Sequence, residues 1–257
     1  MEWTDDAVVL GVRKHGETSV IVELLTQHRG RHLGLVQGGR SRTMRPLLQP
    51  GNSVRAIWRS RLEEHLGQFR LEGKNFRAAQ LMEQAHGIYA LQTLSSHLRL
   101  LPERDAQPAL YEAFTVVLDN LSDPLIAGEL VVRMELALLE ELGFGLDLSC
   151  CAATGQVRDL IYVSPKSGRA VSAEAGRPYS DKMLPLPQFL HTRSMGDVKA
   201  SPIEDILVGF SLTGFFFNRH VYDARGIEVP SERESLIRAI TKKGEAGQTD
   251  QQNQWKY

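Results

Sequence analysis

Residues 19–36, SVIVELLTQHRGRHLGLV, hold two runs of β-branched and alternating apolar residues, 19–25 and 30–36, parted by a polar turn that ends in Gly30. Branched side chains crowd a helix but pack well on a pleated surface, so the runs read as neighbouring strands. Working outward, residues 3–12 (WTDDAVVLGV), 53–58 (SVRAIW) and 68–71 (QFRL) have the same character, and Gly16, Gly38-Gly39, Pro50-Gly51-Asn52 and Gly67 separate them. Gly and Pro supply the backbone angles of tight turns, so five short strands are expected in the first 75 residues. That count and spacing fit the small, partly open OB-fold barrel, which commonly binds single-stranded nucleic acid; an SH3-like barrel has the same number of strands.

From residue 76 the apolar period lengthens from two to nearly four. Leu81, Ala85, Ile88, Leu91, Leu94, Leu98 and Leu101 mark one amphipathic helix, and Leu110, Ala113, Phe114, Val117, Leu118 and Leu121 mark a second. Asp123 before Pro124 has the form of an N-cap and first-turn proline, opening a third helix that ends near Gly143. Ser201 with Glu204, and Ser231 with Glu234, have the spacing of capping boxes ahead of the apolar runs 206–221 and 236–240. Residues 146–187 are irregular, with a small hairpin expected around Leu160, Tyr162 and Val171. The closing stretch KKGEAGQTDQQNQWKY is polar and nearly free of aliphatic side chains. The expected organisation is therefore α+β and multidomain: an OB-fold barrel over 1–75, a mainly α-helical domain over 76–241 with the hairpin insertion, and a disordered tail over 242–257.

The chain has 30 Lys and Arg against 31 Asp and Glu, a balance of −1 that hides a division. Residues 13–61 contain ten cations, Arg13, Lys14, Arg29, Arg31, Arg40, Arg42, Arg45, Arg55, Arg59 and Arg61, against Glu17 and Glu23 alone, a local +8. Nine of the ten are arginines, whose planar fork matches phosphate better than a lysine's point charge does. Residues 1–80 total +5 and the remainder −6, so a basic head precedes an acidic body. Such a field suits a polyanion, although a solvated charge mosaic has the same composition. The densest apolar window, 206–221, is interrupted by Ser211, Thr213, Asn218 and Arg219, and the opening MEWTDD lacks the form of a secretory signal. A soluble, cytoplasmic protein with no membrane partner is expected.

Enzyme signatures fail in turn. The phosphate-cradling GxxxxGK[ST] loop does not occur, and Gly73-Lys74 lacks its first glycine and its hydroxyl. Gly143-Phe144-Gly145 lacks the third glycine of a dinucleotide loop and follows a helix. Neither GxSxG nor HExxH is present. His28 and His32 are four apart, but Gly30 between them opposes a helix, and Arg29 and Arg31 oppose a cation. The only cysteines, Cys150 and Cys151, are adjacent and poorly placed for an ordinary disulfide. Binding rather than catalysis is the expected class, without cofactor; a metal-dependent nuclease would need acidic ligand clusters that the basic segment does not contain.

Four segments in order, WTDDAVVLGVRKHGETSVIVELLTQHRGRHLGLVQGGR (3–40), LLQPGN (47–52), MELALLEELGFGLDL (134–148) and VSPKSGRAV (163–171), resemble the RecO family of bacterial recombination mediators. Gly16, Glu17, Ser19, Ile21, Leu25, Thr26 and Gly30 carry the pattern of the first segment. The resemblance spans most of residues 1–225 and implies an OB-fold followed by a helical domain, often with a zinc-binding insertion. It also implies a non-enzymatic role in DNA repair: binding single- and double-stranded DNA, annealing complementary strands, engaging the C-terminal tail of single-strand binding protein, and with RecR helping RecA onto strands that protein coats. An OB-fold nucleic-acid binder without mediator activity is the alternative. Members that hold zinc carry two CxxC pairs after the GxxLDL segment. Here Cys151 alone keeps a ligand position, and SGRAVS (167–172) stands where the second pair would follow, so no zinc is expected and Cys151 reads as a small buried side chain.

Annealing must hold two flexible polyanions together while their base edges stay free, so phosphate contacts should dominate. Arg29, Arg31, Arg40, Arg42 and Arg45, in or beside Gly-rich turns, are the expected main contacts, and the loop GGRSRTMRP (38–46) is the best single segment. Arg13, Lys14, Arg55, Arg59 and Arg61 come second. Trp3, His32 and Trp58 could stack on bases, but Trp3 and Trp58 read first as barrel core, as Phe215-Phe216-Phe217 does for the helical domain. An acidic tail with apolar terminal residues needs a cation beside an apolar groove, and Arg133, next to Val132 and Leu136 on the third helix, is the candidate.

Overall fold

A computed structural model of the protein describes residues 1–191 and 201–254. Strands form where the alternation placed them: β1 (Glu2–His15), β2 (Ser19–Thr26), β3 (Gly30–Val36), β4 (Ser53–Arg59) and β5 (Gln68–Asn75), with a one-turn helix α1 (Met44–Leu47) ahead of β4. They close in the order β1-β2-β3-β5-β4, the OB-type barrel expected from the sequence. β1 is long enough to serve two neighbours. Residues 2–8 pair with β4 and residues 7–15 with β2, and a register shift between Val9 and Gly11 turns the strand from one to the other. Closure is the parallel contact of β3 with β5, through Leu35 opposite Gln68 and a 3.0 Å bond from the Leu35 N–H to the Gly67 carbonyl. Every second side chain points inward, so Val9, Val22, Leu24, Val54, Trp58 and Phe69 fill the barrel. Gly34 is required among them, because a Cβ there would stand 2.3 Å from the Phe69 ring.

Asn52, the last residue of the LQPGN turn, is 2% exposed. Its Nδ2 donates to the carbonyls of Pro46 at 2.7 Å and Leu47 at 3.4 Å, and its Oδ1 accepts the Ala78 N–H at 3.0 Å. One amide therefore closes α1 and opens the next helix. That helix is α2 (Ala78–Met82), followed by α3 (Ala85–Leu98) and α4 (Pro108–Asp119). A single helix over 81–101 was expected, but Gln84 is extended and breaks it. The first compact unit, Met1–Ser122, contains these helices as well as the barrel; the second is Asp123–Tyr257. The division falls later than the change of apolar period because buried Arg77 ties α2 to Ser53 on β4 and to Asp119 on α4.

The second unit is built on α5 (Pro124–Glu141), capped as the sequence suggested: the Asp123 carboxylate accepts the Leu125 and Ile126 N–H groups at 2.8 and 3.0 Å. The insertion is a small sheet, β6 (Leu160–Val163), β7 (Ala170–Ser172) and β8 (Leu184–Pro185), in the order β7-β6-β8, with the short helix α6 (Ala173–Gly176) after β7. The hairpin was legible; two-residue β8 carries no alternation and was not. α7 (Ile203–Phe217), α8 (Asp223–Arg225) and α9 (Ser231–Gln254) complete the unit. Neither capping box forms as read. Pro202 occupies the α7 N-cap while the Ser201 hydroxyl donates to buried Glu129 at 2.8 Å, and Ser231 is already helical. The stretch after residue 242 is also helical, through Gln254, since Glu, Ala, Gln and Lys favour helix even without an apolar face; residues 255–257 lie outside the described residues.

Glu135 on α5 is fully buried and receives Arg233 Nε at 2.7 Å, Arg233 Nη2 at 2.9 Å and the Thr213 hydroxyl. Arg233→Met should take the cation away from that buried carboxylate and lower stability by about 3–5 kcal/mol, and adding Glu135→Leu should restore most of the loss. Denaturant unfolding followed by circular dichroism checks both; equal destabilisation by the single and double variants would contradict it.

Candidate nucleic-acid interface

Ten basic side chains leave the barrel between residues 13 and 61, and their freedom depends on the carboxylates within reach. Asp6 takes Lys74 at 2.6 Å and Arg55 at 3.7 Å, and Glu2 takes Arg59 at 2.9 Å, its hydrogen bond raising that guanidinium's pKa. Glu23 sits between Arg31 at 2.9 Å and Arg99 at 2.7 Å.

Arg31 is therefore not the main surface contact the sequence suggested. Its side chain is 12% exposed, and it also reaches Glu103 at 3.5 Å and the Leu101 carbonyl at 3.3 Å. Its own carbonyl accepts the Arg104 N–H at 2.8 Å. Gly30 permits this close approach, since a Cβ there would stand 1.9 Å from the Asp105 carbonyl oxygen. OB-folds commonly bind oligonucleotides across the surface of strands 2 and 3; here the chain's own residues 101–105 take up part of it. Arg104, at φ 64°, also donates to the carbonyls of Glu63 and His65 and so holds the β4–β5 loop.

At the end of the barrel where β1 begins, Arg29 lies 6.0 Å above the Trp3 ring. Trp3 stacks on Trp58 at 5.6 Å, and His32 meets both edge-on at 5.1 Å. Trp58 and His32 are buried, and the Trp58 indole N–H donates to the Leu66 carbonyl at 3.1 Å, so these two rings belong to the core. Trp3 is half-buried. Arg59, Arg61 and His65 border a wide, shallow depression of ≈ 950 Å³ at this same end.

The opposite end gathers the remaining predicted residues. The Arg40 N–H donates to Thr18 at 3.0 Å, and its Nη1 to the Glu17 and Gly16 carbonyls at 2.5 and 3.4 Å, fastening the 38–46 loop to the β1–β2 turn. Arg40, Arg45 and Lys14 consequently rim one recess, with exposed Arg42 on the same loop and exposed Arg13 beside Lys14. Arg13, Lys14, Arg42 and Arg45 make no ion pair among the described residues, unlike Arg31, Arg55 and Arg59. Sequence reasoning missed Arg70, exposed on β5 near Arg59, although strand alternation carries it. Arg99 and Arg104 had no local signal, because they act on the barrel from beyond its last strand.

In the second unit Arg133 is engaged: it donates to Glu129 at 2.8 Å and to the Phe189 carbonyl at 2.6 Å, and lies 5.5 Å from the Phe189 ring. The expected free cation beside a groove is thus a brace for the Gln188–His191 turn. Phe216 and Phe217 are buried, as read from the sequence, and Phe215 is half-buried. Buried Cys151 faces Ser172, its thiol 3.4 Å from the hydroxyl and its sulfur accepting the Ser172 N–H at 3.3 Å. Burial opposes ionisation of the thiol, but hydrogen bonds with the Ser172 and Thr154 hydroxyls and the Ser172 and Ala153 amides outweigh it and draw its pKa to about 6. One sulfur facing hydroxyls does not fit zinc, and no group of three His, Cys, Asp or Glu among the described residues could hold a metal. No helix among the described residues is long and apolar enough to cross a membrane.

A five-stranded barrel with unmatched cations at its ends, followed by a helical unit bearing a small sheet, has the build of an OB-fold nucleic-acid-binding protein with an appended helical body. Comparison with known proteins makes this specific: the chain belongs to the RecO family of DNA repair proteins. The family model for the Recombination protein O N terminal matches residues 1–73, and that for the Recombination protein O C terminal matches residues 84–226. The chain is 56% identical to the DNA repair protein RecO of Sinorhizobium medicae (strain WSM419), over 94% of this chain and 96% of that one. It is 58% identical to the RecO protein of Mesorhizobium japonicum and 57% identical to that of Agrobacterium fabrum, in each case over 94% of both chains.

Arg31→Ala should cost about 2 kcal/mol of stability by breaking charged hydrogen bonds. Arg42→Ala with Arg45→Ala should leave thermal unfolding unchanged while flattening the log–log salt dependence of DNA binding by about one to two. The reverse assignment in paired melting and anisotropy experiments would overturn this division. Burial lowers the His32 pKa below its usual 6.5, so the unfolded chain takes up this proton first as the pH falls, and the stability present above 6.5 is lost below it. Denaturant melts across that range should show a shallower pH dependence in His32→Gln.

Proposed function

We propose that the chain is a recombination mediator that works by binding and not by catalysis. It binds single- and double-stranded DNA, anneals complementary strands, and with RecR helps load RecA onto DNA coated with single-strand binding protein. The observation that supports this most directly is the gathering of Lys14, Arg42 and Arg45 beside Arg40, without carboxylate partners, in a chain whose family is one of DNA repair. Each cation set against a phosphate releases condensed counterions, which drives association without reading sequence and leaves base edges free to pair. Arg40 has the positioning part: tied to the β1–β2 turn, it presents the loop's charges at a fixed spacing. The second basic patch, Arg29, Arg59 and Arg61 at the other end of the barrel, suits a second strand held at the same time. The C-terminal tail of single-strand binding protein, with Arg133 as the candidate contact, and RecR are assigned to the helical unit, and the work is done in the cytoplasm on the nucleoid.

The deciding experiment is annealing of complementary strands coated with single-strand binding protein, run beside naked strands and strands coated with a tail-truncated form. Annealing that fails with the truncated tail supports both parts of the proposal. Annealing of naked strands alone would leave a nucleic-acid binder without mediator activity. Arg40→Glu, Arg42→Glu and Arg45→Glu together should weaken binding alike across sequences and flatten its salt dependence; unchanged affinity and slope would place the DNA on another face.

A further inference from the structure

The basic end of the barrel is more than a charged surface. The recess that Lys14, Arg40 and Arg45 rim has a volume of ≈ 390 Å³, and beside Gln49 its lining is apolar: Val12 and, in part, Pro50 are open to solvent over the buried side chains of Val20 and Leu48. Val12 is 41% exposed, a branched apolar side chain left open beside free cations. Phosphate contacts need only the rim and give no reason for such a floor. Gly39 keeps the floor open, since a Cβ at that position would stand 2.4 Å from Val20 and 3.3 Å from Leu48. The volume lies in the roughly 300–1,000 Å³ range of small-molecule sites, room for one nucleotide but not for a length of double helix. The ligand chemistry that joins an anionic group to a flat, weakly polar body of this size, within a polyanion, is a nucleotide whose base has left its stack.

We propose that this recess seats one unstacked nucleotide of a single strand, its phosphates on Lys14 and Arg45 and its base against Val12 and Pro50. The inference rests on the nucleic-acid reading given above and deepens it by naming the preferred form. A base inside a duplex is stacked on both faces and paired along one edge and cannot lay its face on this floor, so the recess favours single strands while the outer cations accept either form. Arg40 holds the rim in place through the Gly16 and Glu17 carbonyls, which makes it a positioning residue for the site.

The test compares three labelled ligands on the full chain by fluorescence anisotropy: a short oligothymidylate, an abasic strand of equal length with the same phosphates, and a duplex. The expected result is oligothymidylate binding about tenfold tighter than the abasic strand, the scale of burying one base face on an apolar side chain. Val12→Gln, a neutral change on an exposed strand position, should lower oligothymidylate affinity to near the abasic level, whereas Lys14→Ala should lower both alike. Equal binding of oligothymidylate and abasic strand by the wild type would overturn the seat and leave the phosphate reading intact; binding of neither would overturn the nucleic-acid reading itself. A preference for bases that survives Val12→Gln would place the base elsewhere. An acidic peptide with an apolar terminus that displaces the strand and loses its own affinity in Val12→Gln would give the recess to a protein tail instead.

Discussion

The side-chain amide of Asn52 is the constraint on which the basic end of the barrel depends. It is buried, so every donor and acceptor it carries must find a partner inside the protein, and it does so in two directions at once. Toward the preceding loop it holds the carbonyls that end α1, and so fixes where the arginine-bearing segment returns to the barrel. Toward the following segment it supplies the first acceptor of α2. Its backbone carbonyl meets the Val9 N–H at 2.9 Å, beside the point where β1 passes from one partner strand to the other. Loss of this one group would orphan polar atoms in two elements, α1 and α2, which is why its worth exceeds that of an isolated hydrogen bond.

Arginine does two different jobs in this chain, and the carboxylates sort them. Glu2 and Asp6 lie within reach of Arg59, Arg55 and Lys74, which stay on the surface, while Glu23 converts Arg31 into part of the scaffold. In the helical unit Glu129 and Glu135 do the same with Arg133 and Arg233. Among the ten cations of residues 13–61, those without an ion pair include Arg13, Lys14, Arg42 and Arg45 at one end of the barrel and Arg29 and Arg61 at the other, so that a chain with a formal charge of −1 carries a basic barrel. Segregation of this sort gives local field without the self-repulsion of a uniformly basic protein.

Much of the fold could be read from local pattern, because the physics behind it is local. Alternation placed the first three strands, glycine and proline placed their turns, and Asp123 before Pro124 placed the start of α5. What failed depends on partners far along the chain. Arg31 looked like a surface contact because its neighbours are turn residues; its burial comes from Leu101, Glu103 and Arg104, some seventy residues on. Ser201 has the spacing of a cap, but a buried glutamate 72 residues away takes its hydroxyl. The apolar period divides the chain near residue 76, where the two family models also divide it, while the packing carries the first compact unit on through Arg77 to Ser122. The candidate site divides likewise: residue type named the cations, and only the fold shows which of them are already matched.

The thin closure of the barrel has a mechanical consequence. β1 is hydrogen-bonded along its length to β2 and β4, but the backbones of β3 and β5 pair only at Leu35, Gly67 and Gln68. Local opening is cheapest where the fewest bonds must break, so the amides of this seam should exchange with solvent before those of β1. The same three residues wall the shallow depression beside Arg59 and Arg61, while the recess of Lys14 and Arg45 is anchored to the rigid strand on the far side. Breathing at the seam therefore changes the outline of one basic patch and leaves the other in register.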